Sequence, residues 1–436
     1  MTDGTLYYIR DGLWSIEGEK ITYIASTGEE KLGYTVETIN EQYIEGRKFI
    51  TEWTVGEETT ITLPIYKAPN ITIEWGDGTK EECTTIKPTH TYTNEGTYII
   101  KISGKMPDWT FYNVTTSKDY ITGIKQWGNT NLTSVSFNGC TNLEGTIPAP
   151  NIEEGFKNIT NIQWLFSGCA KIQELEEGFT IPSGVTTMPA TFSECSGLTS
   201  LPKGFTIPSG VTGMNSTFRG CSSIIRLPKG FTIPSGVTNM TGTFERCSSL
   251  TSLPEGFIIP SGVTNVKNMF YKCSSLTSLP KGFIMPNVTT NMEGMFYGCS
   301  SLTKLSEEFR IPNGVTNMRD VFAYCSSLTS LPEGFTIPSS VTNMNMTFYG
   351  TNLASLPEGF TTPESVTNMK DMLSACKKLK GEIKIEANPT EYTRCFLGTA
   401  IDSGGILTVN YTENCTNIDD IIATGNGNYI KKGTLK

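Results

Sequence analysis

Histidine and long apolar runs are the clearest absences from this chain of 436 residues. His90 is the only histidine, which excludes any catalytic or metal site that needs two imidazoles. No stretch of 18 consecutive apolar residues occurs, so the sequence predicts no membrane-spanning helix. The segment from Met1 to Arg10 lacks a basic region followed by an apolar stretch, and no secretory signal is visible.

Basic clusters are lacking too. Lys and Arg together number 34 against 43 Asp and Glu, which gives a formal net charge of −9. Because no block of Lys or Arg occurs, a groove for nucleic acid or a patch for an anionic membrane is not expected. The sequence therefore predicts neither a nucleic-acid partner nor insertion into a membrane.

Recognisable catalytic motifs are missing as well. The chain has no Gly-rich phosphate loop, no metal-ligand spacing and no nucleophile–base pair in a familiar context, so we predict no enzymatic activity and no cofactor. Chemistry that uses only Glu and Asp, such as glycoside hydrolysis, is the remaining enzymatic alternative. No segment concentrates paired carboxylates in a way that favours it.

Turn-forming residues are plentiful, with 43 Gly and 22 Pro. Only 18% of the residues are charged while 37% are hydrophobic, which is the composition of a folded chain rather than a disordered one. At ~100–200 residues per domain, the length fits two to four domains or one long array. Composition thus predicts a β- and turn-rich protein.

The cysteines reveal a repeat. Thr351 follows the seventh regularly spaced cysteine by one period, and Cys376 comes 25 residues after that. A fixed period predicts a solenoid in which each coil stacks only on its neighbours, while the lack of Cys-x-x-Cys pairs excludes zinc. Neighbouring coils ~4.8 Å apart would allow disulfides, but nothing selects one neighbour over the other, so we expect free, buried thiols. The seven cysteines at steps of 26 are Cys169, Cys195, Cys221, Cys247, Cys273, Cys299 and Cys325.

Each repeat contains a segment with a strand pattern. Phe257 and Ile259 alternate, as in a short strand with one buried face. The Pro260-Ser-Gly sequence that follows predicts a turn.

The segment before each cysteine has a helical pattern. Met240, Phe244 and Cys247 stand at i, i+4 and i+7, which indicates one face of a two-turn helix, and Asn239 suits its N-cap. Asparagine recurs at this place in Asn265, Asn291, Asn317, Asn343 and Asn368. The repeated phenylalanines are expected to stack as an internal spine: Phe192, Phe218, Phe244, Phe270, Phe296, Phe322 and Phe348.

Three segments identify the repeat more closely. Val341-Thr-Asn-Met, Met295-Phe-Tyr-Gly-Cys-Ser-Ser-Leu and Leu276-Thr-Ser-Leu follow the pattern Val-Thr-x-hydrophobic, then Phe-x-x-Cys-x-x-Leu. This pattern resembles the BspA-type leucine-rich repeat, a cysteine-containing family of bacterial and protist surface proteins. The resemblance implies a leucine-rich-repeat solenoid with a role at a surface.

The N-terminal third carries a second motif. Ile71-Thr-Ile-Glu-Trp-Gly-Asp-Gly-Thr and the segment from His90 to Gly104 contain strands bounded by Asp-Gly and Glu-Gly turns. Trp-Gly-Asp-Gly together with His-x-Tyr resembles a PKD-type β-sandwich, an immunoglobulin-like spacer module. We interpret Asp77 as a turn-stabilising residue, with a cation ligand as the alternative, and His90 as a packed core residue.

The expected fold class is α+β, in four parts. Residues 1–45 form a small N-terminal β segment, which is either an appendage or an anchor, and residues 46–112 form the PKD-like β-sandwich. Residues 113–415 form the BspA-type solenoid of 26-residue coils, each with a short strand and a short helix, with atypical end coils. Residues 416–436 form a C-terminal cap or tail. The segment from Met106 to Gln126 is expected to pack the sandwich onto the first coil.

Positions that vary on a constant scaffold identify the candidate binding surface. In the variable place of Pro-x-Gly, Glu307, Glu333 and Glu358 are expected to form an acidic row. This row is either a solvated ridge or a patch for a basic partner or a cation.

A second candidate surface consists of tyrosines. Tyr271, Tyr297 and Tyr349 occupy one equivalent position, and Tyr324 occupies the next. Exposed tyrosines at matched places give rigid amphipathic contact area for a protein or a sugar. The alternative is that they only cover the edges of the coils.

The resemblance implies a non-catalytic recognition or adhesion protein whose partner is a protein or glycan on a cell surface. Because no signal peptide is visible, the first interpretation is a phage fibre or decoration protein. It would attach to a virion protein through residues 1–45 and present its repeats to a host or mucosal surface. The alternative is a bacterial cell-surface BspA-like adhesin, and an intracellular scaffold or a glycoside hydrolase is more remote. The predicted location is the virion surface or the extracellular face of a cell.

Overall fold

A four-stranded antiparallel sheet lies at the N-terminal end of the chain. Its strands follow chain order: β1 (Leu6–Ile9), β2 (Gly12–Glu17), β3 (Lys20–Ala25) and β4 (Glu30–Lys31). The anchoring role of residues 1–45 stays a prediction. The computed structural model describes residues 6–9, 12–17, 20–25, 30–31, 47–112, 116–152 and 155–436, the first four ranges as backbone only.

The next part of the chain is an antiparallel β unit. A five-stranded sheet has the order β12-β5-β10-β7-β8, and β6 pairs with β9 in a separate two-stranded sheet. Buried residues alternate along β5, where Phe49, Thr51 and Trp53 face the core, as one covered face of a sheet requires. The strands are β5 (Phe49–Val55), β6 (Thr59–Thr62), β7 (Asn70–Glu74), β8 (Lys80–Cys83), β9 (Thr89–Tyr92), β10 (Gly96–Lys105), β11 (Asp108–Thr110) and β12 (Ile121–Gln126).

The Trp-Gly-Asp-Gly turn is held by its aspartate. The Oδ1 atom of Asp77 accepts hydrogen bonds from the N–H (2.9 Å) and the hydroxyl (2.6 Å) of Thr79, which confirms the turn-stabilising interpretation. Its Oδ2 atom lies 2.7 Å from Nε2 of His90. The His90 ring stacks on Trp75 with ring centroids 4.7 Å apart, and its side chain is only 17% exposed, so His90 packs between these two partners.

The segment from Met106 to Gln126 joins the β unit to the first coil. Strand β12 pairs with β5, while β11 pairs in parallel with β13 (Ser134–Ser136) of the solenoid. Trp109 is fully buried between the two parts, with its ring 4.9 Å from that of Phe49 and 6.3 Å from that of Phe137. The expectation that this segment packs the β unit onto the first coil is confirmed.

The rest of the described chain is a continuous stack of coils, and regular strands occur only near the two ends of the stack. In the described coils between Leu175 and Thr361 no strand occurs, and single parallel bridges such as Asn239–Asn265 join successive coils. The predicted strand in every coil is therefore wrong, although burial alternates as expected: Phe257 is 2% exposed and Ile258 is 65% exposed. The solenoid strands are β13, β14 (Glu144–Ile147), β15 (Lys171–Leu175), β16 (Thr361–Thr362), β17 (Gly381–Ile385), β18 (Leu407–Tyr411) and β19 (Ile430–Leu435), and the described helix is α1 (Ile418–Ala423).

The predicted helix in each coil is also wrong, because two consecutive turns take its place. Gly242 and Arg246 have φ values of 60°, and a left-handed residue interrupts a right-handed helix. The N–H groups of Thr243 and Cys247 bond to the carbonyls three residues earlier. Those of Gly242, Phe244 and Arg246 instead bond to carbonyls of the next coil at 2.8, 3.0 and 2.7 Å. The amides thus alternate between closing a turn and joining two coils.

The asparagine predicted as an N-cap opens the first of these turns. The Oδ1 atom of Asn265 accepts the N–H of Lys267 at 3.0 Å, and Asn239 does the same for Thr241 at 2.9 Å. This is an Asx-turn, so the side chain satisfies a local donor as predicted but no helix follows.

Phenylalanines fill the interior of the stack. Along the spine, the ring centroids of successive coils are 5.5 Å apart for Phe192 and Phe218 and 5.8 Å apart for Phe296 and Phe322, with nearly parallel planes. The predicted spine is confirmed. Its side chains are fully buried, so no coil can bury its apolar face without a neighbour.

Candidate functional site

The outer side of the consecutive turns carries the tyrosines. The place two residues before the cysteine is half-buried where Tyr271 and Tyr297 hold it, and the residue one place before the cysteine has a positive φ, such as 60° for Tyr324. A left-handed residue at this place turns the chain sharply, which directs both side chains outward. We call Tyr271, Tyr297, Tyr324 and Tyr349 the tyrosine row.

The structure brings all four tyrosines of the row into contact. The rings of Tyr271 and Tyr297 stack with centroids 4.5 Å apart and an interplanar angle of 6°. The centroid of Tyr324 lies 5.2 Å from that of Tyr297 and 5.0 Å from that of Tyr349. Two faces of the stacked pair cover each other, and Tyr271, Tyr297 and Tyr349 are half-buried. Tyr324 is the exposed member of the row, with 42% of its surface accessible.

Two tyrosines of the row have shifted ionisation. Burial, followed by the neighbouring phenols, raises the pKa of Tyr297 and Tyr324 above the ordinary value. Burial also raises the pKa of Asp320, whose Oδ2 atom accepts a 3.1 Å hydrogen bond from Nε of Arg319. Tyr297 and Tyr324 therefore act as neutral hydroxyl groups.

A groove of about 630 Å³ runs beside the N-terminal part of the tyrosine row. Tyr297 and Tyr324 contribute to its wall, and so do Arg246 and Lys272 of the two preceding coils. The rest of the groove is lined by the serine that follows the cysteine in each of five coils: Ser196, Ser222, Ser248, Ser274 and Ser300. We call the whole groove the serine groove.

The electrostatics of the serine groove differ from those of the whole chain. Glu194, which lines the groove, has an Oε1 atom 2.5 Å from Nη1 of Arg219, and the Glu245 carboxylate contacts Arg219 and Arg246 at 3.4 and 3.8 Å. Lys272 lies over the ring of Tyr271, 5.6 Å from its centroid, and has no ion pair among the described residues. The groove therefore carries an unmatched positive charge on a protein with net charge −9.

The acidic row lies elsewhere on the coils. Glu307, Glu333 and Glu358 are exposed, and none of them lines the serine groove. Arg310 places its guanidinium in this row, with Nη1 2.7 Å from the Glu307 carbonyl and Nη2 3.0 Å from the Glu333 carbonyl. This cation reduces the negative charge that the sequence led us to expect there, and binding by the acidic row stays a prediction.

The cysteines form hydrogen bonds rather than disulfides. All twelve are free and buried in the described chain, as expected, and each repeated thiol donates to the carbonyl of the spine phenylalanine one coil earlier. For Cys247 and Cys273 the acceptors are Phe218 at 3.1 Å and Phe244 at 3.0 Å. Burial raises the pKa of Cys247 to about 12, so this thiol is neither a thiolate nor a nucleophile.

The described residues offer neither a metal-binding cluster nor a membrane-spanning helix. Among the residues that the structure describes, no three or more His, Cys, Asp or Glu side chains are grouped closely enough to hold a metal ion. No helix in the described ranges has the length and apolar character that crossing a membrane requires.

Comparison with known families supports the leucine-rich-repeat part of the resemblance. Residues 104–251 match the BspA type leucine rich repeat region in six copies. Residues 208–309 and 264–386 match a family described as Mycoplasma protein of unknown function, DUF285. No curated protein and no solved structure matches the chain. Neither family match includes residues 46–103, so the PKD-like resemblance stays a prediction.

These matches agree with the geometry. The chain carries BspA-type repeats stacked as a solenoid, and repeats of this type suggest a surface or adhesion protein. Sequence reasoning identified the tyrosine row but missed the serine groove. The residue before each cysteine varies from Gly220 to Arg246, Lys272 and Gly298, and only the serine after the cysteine gave a repeated signal.

Proposed function

We propose that the protein is a non-catalytic recognition protein and that the tyrosine row is its contact surface. The observation that carries this proposal is the continuous contact of four tyrosines from four successive coils, with centroids 4.5 to 5.2 Å apart. Mutual packing fixes these rings before a partner arrives, which lowers the entropy lost on binding. Aromatic residues in such rigid arrangements are frequent anchors of protein interfaces.

The proposed architecture assigns a role to each part of the chain. The β unit of residues 46–112, interpreted as a PKD-like spacer, separates the solenoid from the small N-terminal sheet. The solenoid then presents one long face along its axis. Two placements follow from this architecture: a bacterial cell surface, in keeping with the surface role that BspA-type repeats suggest, and a phage virion, to which residues 1–45 would attach the protein.

The contact surface is tested by replacing the whole tyrosine row with serine. The measurement is binding of the full chain to mucin-coated and to bacterial-envelope-coated surfaces by interferometry. We expect binding to weaken by about ten-fold or more, since ten-fold corresponds to ~1.4 kcal/mol and a single aromatic anchor contributes ~2 kcal/mol.

The matched control changes the acidic row instead. In a variant with Glu307→Gln, Glu333→Gln and Glu358→Gln, binding should be unchanged. Loss of binding in this control with retention in the tyrosine variant would move the contact surface to the acidic row. Unaltered thermal unfolding of both variants establishes that the solenoid is intact.

The placement is tested by deleting residues 1–45. If the protein is a virion component, the truncated chain should no longer co-purify with phage particles while it still binds the coated surfaces. If the full chain associates with no particle and binds the surfaces unaided, the cell-surface placement is correct.

A further inference from the structure

The serine groove repeats the same hydroxyl in every coil. Ser274 donates its hydroxyl to the carbonyl of Ser248 at 3.3 Å, and Ser300 donates to the carbonyl of Ser274 at 3.3 Å. Because the hydroxyl hydrogens of Ser274 and Ser300 are used in this way, their oxygens are left as acceptors for a donor on a ligand. The floor of the groove is a regular line of serine hydroxyl groups parallel to the solenoid axis.

Two cations stand at one edge of this line. Arg246 and Lys272 occupy the same place in successive coils, immediately before Cys247 and Cys273. Both side chains are exposed, and both line the groove. Guanidinium and ammonium groups bind carboxylates by charge-assisted hydrogen bonds. Among the described residues, Arg246 contacts a carboxylate only through Nε, at 3.8 Å from Glu245, and Lys272 has no ion pair, so this edge fits acidic groups spaced by about one coil.

The tyrosines bound the C-terminal part of the groove. Tyr297 and Tyr324 line it there, and their raised pKa values keep the hydroxyls protonated. The exposed ring of Tyr324 gives an apolar surface next to hydroxyl groups, which suits the mixed C–H and O–H character of a sugar. Acceptors, cations and amphipathic rings are thus combined in one groove.

We propose that the serine groove binds a linear acidic glycan of the uronate type, with its carboxylates at Arg246 and Lys272 and its hydroxyls along the serines. This inference rests on the recognition function proposed above and specifies its ligand class. The glycan lies along the solenoid axis, so that successive sugar units meet successive coils.

The coil spacing favours a glycan over an acidic peptide. On the groove side of the coils, the rings of Tyr271 and Tyr297 are 4.5 Å apart from one coil to the next. Side chains on one face of an extended peptide repeat every two residues, or ~6.6 Å, and lose register within a few coils. One pyranose unit is shorter than this two-residue repeat, so a glycan follows the coils more closely.

The test uses the full chain and defined probes. Binding is measured by calorimetry for linear six-unit oligomers of α-linked galacturonate and of β-linked glucuronate. A neutral glucose oligomer of the same length and a hexaglutamate peptide serve as comparison ligands. We expect one of the oligouronates to bind about ten-fold or more tightly than the neutral oligomer, since hydrogen bonds to charged groups contribute more than neutral ones. It should also bind more tightly than hexaglutamate, whose carboxylates do not keep register with the coils.

A matched pair of variants locates the site. Arg246→Gln with Lys272→Gln should weaken oligouronate binding about ten-fold or more. Lys229→Gln with Lys281→Gln changes the net charge equally at exposed places of the Pro-x-Gly loops and should change binding by less than about two-fold, as expected of a weak long-range effect. Equal loss in both variants would mean that only net charge matters and would overturn the site.

The remaining outcomes separate this inference from the proposed function. Equal or tighter binding of hexaglutamate, or of the neutral oligomer, overturns the glycan assignment. If neither oligouronate binds while the full chain still binds coated surfaces through the tyrosine row, the ligand class is wrong and the recognition function stands. If the chain binds neither the oligomers nor the surfaces, both proposals fail.

Discussion

At the scale of single residues, the cysteines show what a sequence period can and cannot reveal. The constant step predicted buried, unpaired thiols, which is what the structure has. The period could not reveal that each S–H donates to a carbonyl in the preceding coil, such as Cys273 to Phe244 at 3.0 Å. The Phe244 carbonyl also accepts the N–H of Cys247 in its own coil. One oxygen therefore closes a turn within one coil and bonds to the thiol of the next coil.

The thiol hydrogen bond predicts a difference between two small substitutions. Cys273→Ala should lower the free energy of unfolding by about 1–2 kcal/mol, because both the buried sulfur and the donor are lost. Cys273→Ser should cost less, because the hydroxyl keeps a donor to the Phe244 carbonyl, and Thr351 already places a hydroxyl at the equivalent position of another coil. Urea unfolding measures both. A serine variant that is as unstable as the alanine variant would contradict the role of the hydrogen bond.

Asp77 predicts a dependence of stability on pH. Partial burial opposes its ionisation, but hydrogen bonds from the Thr79 side chain and backbone and from His90 outweigh that effect and lower its pKa from 3.8 to about 2. A group whose pKa is lower in the folded state adds stability above its unfolded value and loses it as the pH falls through the folded value. The stability difference between wild type and Asp77→Asn should therefore shrink as the pH falls between about 4 and 2. Urea unfolding at several pH values measures it, and a difference that does not change down to pH 2 would contradict this role.

At the scale of elements, the apolar spacing was right and the element type was wrong. Met240, Phe244 and Cys247 face the core as the helical pattern predicted. Two consecutive turns place the same residues inward, so the spacing alone does not distinguish them from a helix. Glycine at the left-handed places, as in Gly242 and Gly220, is the feature of the sequence that distinguishes the turns from a helix. In other coils Arg246 and Tyr324 hold such places, where no sequence rule predicts a positive φ.

The asparagine that opens the turns gives the prediction at this scale. Asn265→Ala should lower the free energy of unfolding by about 0.5–2 kcal/mol, as for other side-chain caps of a backbone donor. Asn265→Asp should cost less, because the carboxylate can still accept the Lys267 N–H; Glu391 accepts the N–H of Thr393 in this way at 3.1 Å. Chemical unfolding measures both. Equal losses for the two variants would show that the 3.0 Å hydrogen bond contributes nothing.

The candidate site was predictable only in part, because residues that recur at matched places stand out in a sequence and residues that do not recur are missed. Tyrosine recurs at matched places and therefore drew attention in the sequence. The cations of the serine groove do not recur: the place before the cysteine is Glu194 in one coil, Arg246 in another and Gly298 in a third. Only the fold shows that Arg246 and Lys272 adjoin the serines and the tyrosine row.

At the scale of the whole molecule, the solenoid is a one-dimensional stack. Each coil bonds to the coils before and after it: Phe244 donates its N–H to the Met269 carbonyl of the next coil, and the Thr243 carbonyl accepts the N–H of Phe218 from the preceding coil. Stability in such an array is approximately a sum over coils and their interfaces. The unit that can be removed without disturbing the rest is therefore one complete period.

Removing one period tests this description. Deletion of residues 196–221, a span of 26, joins Cys195 to Ser222 and restores the repeat, so the protein should unfold cooperatively at a lower denaturant concentration. Deletion of residues 196–208, half of that span, places polar residues on the inward face and should abolish the cooperative transition. Urea unfolding followed by tryptophan fluorescence measures both. Comparable transitions for the two deletions would contradict the coil as the structural unit.

The most direct test of the central claim, that the tyrosine row and the serine groove form the binding face, is hydrogen–deuterium exchange of the full chain. Exchange is measured for the free protein and for the protein saturated with a ligand. The ligand is an oligouronate or a fragment of the coated surface, depending on which of them binds. We expect slower exchange confined to five turns, because a bound ligand suppresses local opening. These turns are at residues 244–249, 270–275, 296–301, 322–326 and 347–350. Slower exchange in the Pro-x-Gly loops at residues 305–309 and 331–335, with no change in these turns, would contradict it.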